Sequence, residues 1–135
     1  MTTIEQISEC INSYNKFYST LTIGQLLNLQ DKLASLSYTL AEETANAKKQ
    51  YNQNYFIKKI SILKSNQNLI KQGSPIGKAQ IESEFNNIEL IQNEMNAEGD
   101  AYRYDLLLKQ VNKILSAIAQ RVSFAKQELQ TAKNT

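Results

Sequence analysis

Apolar residues recur every three to four positions along nearly the whole chain, which is the period of helices rather than strands. Ile4, Ile7, Ile11, Tyr14 and Tyr18 keep this spacing in the first segment and predict a short helix over 3–20. Thr3 followed by Gln6 is a capping-box pattern at its start. A second start signal stands at Thr22-Ile23-Gly24-Gln25, with Thr22 as N-cap, Gln25 at N3, and Leu21 placed to staple onto Leu26. From there to about residue 72 there is no proline, and after Gly24 no glycine, so one long helix is expected over 22–72. Leu26, Leu29, Leu33, Leu36 and Leu40 step by three and four, as a coiled-coil seam requires. The stripe runs on through Thr44, Ala47, Tyr51 and Tyr55, then Phe56, Ile60, Leu63 and Ile70, with a register break between Tyr55 and Phe56.

Gly73-Ser74-Pro75 ends this helix and starts the next. Glycine suits the left-handed position after a helix, serine an N-cap, and proline the first helical turn. With 73–77 as the turn, a third helix is expected over 75–132. Its seam is Ile81, Phe85, Ile88, Met95 and Tyr102, then Leu107, Val111, Ile114, Ile118, Val122 and Leu129. Gly99 is its weak point, since glycine inside a helix costs about 1 kcal/mol relative to alanine. The fold class expected is all-α, a single domain over 1–135: a long antiparallel helical hairpin with a short N-terminal helix. Apolar residues off the main stripe (Leu27, Leu90, Ile91, Leu106, Leu108, Leu115, Ala119 and Phe124) call for a second buried face, hence assembly into an oligomeric bundle.

Charge supports the hairpin. Seven lysines and no acid lie between Thr44 and Ile81, whereas residues 82–105 hold seven acids and one base, Arg103. Folding the chain at Pro75 lays the basic stretch along the acidic one. Such flanking charges choose partner and orientation, although each exposed pair contributes only about 0.2–1 kcal/mol. The same pattern fits two chains pairing antiparallel.

Composition narrows the chemistry. The 135 residues are 41% hydrophobic and 21% charged, with net charge +2, four glycines and one proline, and the mean hydropathy is −0.45. This suits folded helices and argues against turn-rich sheet folds. Histidine is absent, which removes His-based general acid–base catalysis, Ser-His-Asp and Cys-His nucleophiles, and the usual zinc and di-iron sites. Gly73-Ser74-Pro75-Ile76-Gly77-Lys78 lacks P-loop spacing and follows no strand. No catalytic residue, cofactor or metal is expected. The lone Cys10, the lack of a signal-peptide pattern at the N-terminus, and the lack of an apolar run long enough to span a bilayer suit a cytoplasmic, membrane-free protein.

The candidate binding residues are Tyr51, Tyr55, Lys58, Lys59, Arg103, Tyr104 and Lys109. Tyrosines beside lysines and an arginine could stack a base or hold an anion; the plainer reading makes them seam fillers with hydroxyls at the edge. Glu42, Glu43, Glu98 and Asp100 could gather across the hairpin, but no loop is there to wrap a cation, so solvated charges are the simpler expectation.

Three stretches carry a resemblance. They are Tyr51-Asn52-Gln53-Asn54-Tyr55-Phe56 with Lys58-Lys59, Gly73-Ser74-Pro75-Ile76-Gly77-Lys78-Ala79, and Tyr102-Arg103-Tyr104-Asp105 running on through Asn112 to Arg121. Together they resemble small helical accessory proteins encoded in bacteriophage genomes near recombination or replication genes. The resemblance implies a non-catalytic binding protein in the host cytoplasm, acting on a host or phage protein or on single-stranded DNA. An anti-defence inhibitor or sponge for an immune protein or nucleotide signal is a second expectation, and a structural coiled-coil scaffold a third.

Overall fold

The computed structural model describes residues 1–134, which form four helices and, among the described residues, no strand. They are α1 (Thr3–Phe17), α2 (Ile23–Lys71), α3 (Ile76–Asn86) and α4 (Ile88–Lys133). The all-α hairpin is therefore present, with α2 and α4 packed against each other. No helix among the described residues is long and apolar enough to cross a membrane.

Local chemistry explains the ends of the helices. The capping box of α1 sits one residue earlier than the spacing suggests. Thr2 Oγ1 accepts from the Glu5 backbone N–H (3.1 Å), and a Glu5 carboxylate oxygen accepts from the Thr2 N–H (3.3 Å). The helix stops at Phe17, short of Thr20, where the Thr20 and Leu21 N–H groups both turn back to the Phe17 carbonyl. At α2 the expected box forms: Gln25 N–H donates to Thr22 Oγ1 (3.2 Å) and Thr22 N–H to Gln25 Oε1 (2.9 Å). Gly73 takes φ +94°, with Ser74 N–H bonded to Leu69 O and Gly73 N–H to Ile70 O, which is the Schellman termination. Pro75, not Ser74, is the N-cap of α3.

The third segment is broken, but not at Gly99, which lies within α4. The break is Asn87, at φ −113° and ψ 24°. Its N–H turns back to Glu84 O, while its own carbonyl accepts the first bond of α4 from Ile91. Asparagine favours such a position because its side chain competes for local backbone groups; here Nδ2 donates to Ser83 O at 2.7 Å.

The chain divides into two compact units. Unit 1 comprises Met1–Thr44 and Tyr104–Thr135; unit 2 is Ala45–Arg103. Unit 1 is a three-helix arrangement around one apolar cluster. Ile7, Cys10 and Ile11 come from α1, Leu26, Leu33 and Leu40 from α2, and Val111, Ile114, Ile118 and Val122 from α4. Leu33 and Ile118 are fully sealed from solvent, at 0% exposure. Each such side chain contributes about 1.5–3 kcal/mol by burial. Leu27, Leu108 and Leu115, three of the off-stripe residues, pack against this cluster, whereas Leu106 and Phe124 stay exposed.

Unit 2 reverses the expected arrangement. Ile81, Phe85, Ile88, Met95 and Tyr102, the residues the spacing assigns to the seam, all stand in solvent, with Ile81 70% and Phe85 73% exposed. Phe56, Ile60, Leu63 and Ile70 of α2 are exposed as well. The residues that face inward are small or polar: Ala79, Ser83, Asn87 and Glu94 are buried, with Ser61, Ser65, Ala97 and Lys58 partly so. Counting in sevens from Leu26, Leu33 and Leu40 reaches Ala47, Asn54 and Ser61. The heptad therefore runs on without the register break expected at Tyr55–Phe56; what changes is the chemistry of the positions it visits.

Candidate functional site

Several polar groups in the unit 2 seam find partners across it, although the buried Asn66 Oδ1 has none. Ser61 Oγ donates to Asn87 Oδ1, and Asn87 Nδ2 is within 3.2 Å of Ser65 Oγ. One amide thus ties two α2 hydroxyls to the α3–α4 break. A turn or two further from Gly73, Lys58 Nζ bonds Glu94 Oε2 at 2.9 Å, an ion pair joining α2 to α4. The bond to Glu94 holds the Lys58 ammonium above the ordinary lysine range, outweighing the opposing effect of desolvation.

Four of the seven candidate residues gather around this pair. Lys58 Nζ lies 5.0 Å and Lys59 Nζ 5.8 Å from the centroid of the Tyr55 ring, within cation–π range. Tyr55 also meets Phe56 edge to face, at 5.7 Å between centroids. The Tyr51 hydroxyl is pushed above its ordinary pKa, first by the charge of Glu98 and then by desolvation. An acidic neighbour of this kind repels an anionic ligand, so the cluster is poorly suited to phosphate. The other three candidates stand apart from it. Arg103 is exposed and pairs along its own helix with Asp100 (3.7 Å). Tyr104 packs against the unit 1 cluster, and Lys109 pairs with Asp105 at 3.0 Å.

Other chemistry is sparse. Among the described residues no group of three or more His, Cys, Asp and Glu side chains could hold a metal ion. Cys10 is buried in unit 1, and burial raises its thiol pKa, which suppresses the reactive thiolate. An open groove on unit 1 is lined by Tyr14, Tyr18, Arg121 and Phe124, with the Arg121 guanidinium 5.3 Å from the Tyr18 ring.

The dominant surface feature is the pair of apolar stripes on unit 2. On α2, Phe56 lies two positions before the inward Lys58, and Leu63 two before the inward Ser65, so the stripe is turned about 200° from the seam at about 100° per residue. On α3 and α4 the same offset separates Phe85 from Asn87 and Met95 from Ala97. Spacing alone identifies these residues as a stripe, but does not show that it faces outward. The signal that could have done so is the run of small and polar residues at a second, parallel heptad: Ser61 and Ser65 on one helix, and Ser83, Asn87, Ala97 and Ala101 on the other.

No family model matches the chain, and no curated protein or solved structure matches it either.

Proposed function

We propose that the chain is a non-catalytic binding protein of the phage accessory type, and that it works by offering the apolar helix faces of unit 2 to a protein partner. The observation carrying this reading is the exposure of Phe56, Ile60, Leu63, Ile81, Phe85 and Met95 around a hairpin that closes without them. Contiguous exposed apolar surface marks an interaction site, and an amphipathic helix face is read by another helix or a groove through residues spaced three and four apart. A protein partner fits better than single-stranded DNA. Stacking platforms need exposed aromatic rings among cations, whereas Tyr51 and Tyr55 are partly buried, and Lys58 is committed to Glu94. The phage setting rests on the resemblance of the three stretches alone.

The test is benzoylphenylalanine, a photoreactive amino acid, placed at Phe85 and irradiated in cells, alongside anisotropy of a labelled single strand at low and moderate salt. Covalent adducts to polypeptide and no strand binding are expected. Tight, salt-sensitive strand binding, or adducts to nucleic acid alone, would overturn the reading.

A further inference from the structure

We propose that the partner is a second copy of this chain, with the α2 stripe of one copy packed on the α3–α4 stripe of the next. This rests on the protein-binding reading above and names its partner.

Both stripes step by four, three and then whole heptads of seven, which keeps them on the face that takes knobs from another helix: Phe56, Ile60, Leu63 and Ile70 on α2, and Ile81, Phe85, Ile88, Met95 and Tyr102 on α3 and α4. The residues bordering a stripe decide which helix it accepts. Lys59, Lys64 and Lys71 border the α2 stripe, with no acid among them, and none has an ion-pair partner among the described residues. Glu82, Glu84, Glu89 and Glu98 border the other stripe, where the bases are Lys78, beside Glu82, and Arg103, beside Asp100. Two α2 stripes face to face would set lysine against lysine, and two α3–α4 stripes glutamate against glutamate. Only the mixed contact matches opposite charges, and like-charge juxtaposition rejects the others.

The two stripes also share a level. Ile70 and Ile81 lie nearest the Gly73–Pro75 turn, Phe56 and Met95 stand at comparable distances from it, and Tyr102 lies one heptad beyond. Copies standing side by side therefore overlap their stripes from the turn out to Phe56 and Met95. Each copy presents one stripe of each kind, which is a head-to-tail contact. The intramolecular pairing of the basic and acidic stretches is limited: the Lys58–Glu94 bridge spans the helices, while Lys78–Glu82 and Arg103–Asp100 run along one chain segment. The exposed Lys59, Lys64 and Lys71, which make no ion pair among the described residues, are thus left for a neighbour.

The experiment is size exclusion with light scattering on the full chain, beside two double variants, Lys59→Glu with Lys64→Glu, and Glu84→Lys with Glu89→Lys. The wild type is expected at a multiple of 15.3 kDa. Each variant alone should fall to the monomer mass with unchanged helical circular dichroism, since all four side chains are exposed. An equal mixture of the two should regain the multimeric mass, because each restores the charge match the other lost. A wild-type monomer at every soluble concentration overturns the proposal, as does a Glu84/Glu89 variant that keeps its mass, or folded variants that do not recombine. A wild-type monomer that still gives polypeptide adducts at position 85 removes the second copy and leaves the protein-binding reading standing. If such a monomer gives no polypeptide adducts, both fail.

Discussion

Units 1 and 2 are built on the same two long helices, yet they bury opposite kinds of residue. In unit 1 the leucines of α2 meet Val111, Ile114, Ile118 and Val122 of α4, and α1 adds Ile7, Cys10 and Ile11. In unit 2 the helices meet through serine, alanine, asparagine and a Lys–Glu pair, and the large apolar residues are outside. A contact between two helices consumes one face of each. Unit 1 has a third helix of its own to cover more apolar surface. Unit 2 has only the two helical arms of the hairpin, so a second apolar face there stays exposed.

This comparison can be broken most sharply with matched leucines. Leu33→Ala removes a fully buried side chain from unit 1 and is expected to cost about 2–5 kcal/mol. Leu63→Ala, on the outer stripe of unit 2, should change the stability of the isolated chain by no more than about 0.5 kcal/mol. Urea unfolding of both variants at low protein concentration decides the matter; equal losses would mean that Leu63 is packed.

The polar seam makes the next largest prediction. Asn87→Ala strips partners from Ser61 and Ser65 and should cost about 1–3 kcal/mol. Urea unfolding of Asn87→Ala beside Ser65→Ala tests it, since the hydroxyl deletion alone should cost less. A neutral Asn87→Ala would make the network incidental to unit 2.

The smallest effect is the share of unit 2 in the pH dependence of stability, beside that of the buried Cys10 thiol in unit 1. The folded pKa of Lys58 is raised above its ordinary 10.5 by Glu94, so the folded state holds that proton more tightly. The pair's contribution is present below 10.5 and is lost as pH rises through the raised value. Tyr51 acts in the same direction, because Glu98 raises its pKa and ionisation then opposes folding as pH climbs. Urea midpoints should therefore decline on the alkaline side, with the decline reduced in Lys58→Met and reduced further when Tyr51→Phe is added. A decline unchanged in both variants would place its origin elsewhere.

Much of this protein was determined by local rules that need no tertiary context. The helical period, the Thr22–Gln25 box and the Gly73 termination each follow from a few adjacent residues, because caps and left-handed turns are satisfied within one turn of backbone. Leu26, Leu33 and Leu40 were legible as core because no rival stripe shares that part of α2. In unit 2 two heptad stripes run along the same helices on opposite faces, one apolar and one small and polar, and spacing cannot rank them. Only the tertiary structure decided that Ser61, Ser65 and Asn87 close on each other while Phe56 and Phe85 turn to solvent. It likewise broke the third segment, expected as one helix over 75–132 with Gly99 as its weak point, at Asn87, whose amide has partners on a neighbouring helix. Tyr51, Tyr55, Lys58 and Lys59 come together because they are close in sequence, while Arg103, Tyr104 and Lys109 are drawn to partners on their own helix or to the unit 1 core. Backbone chemistry is local and can be read along the chain; the choice between two faces of one helix depends on what stands opposite, which only the folded arrangement supplies.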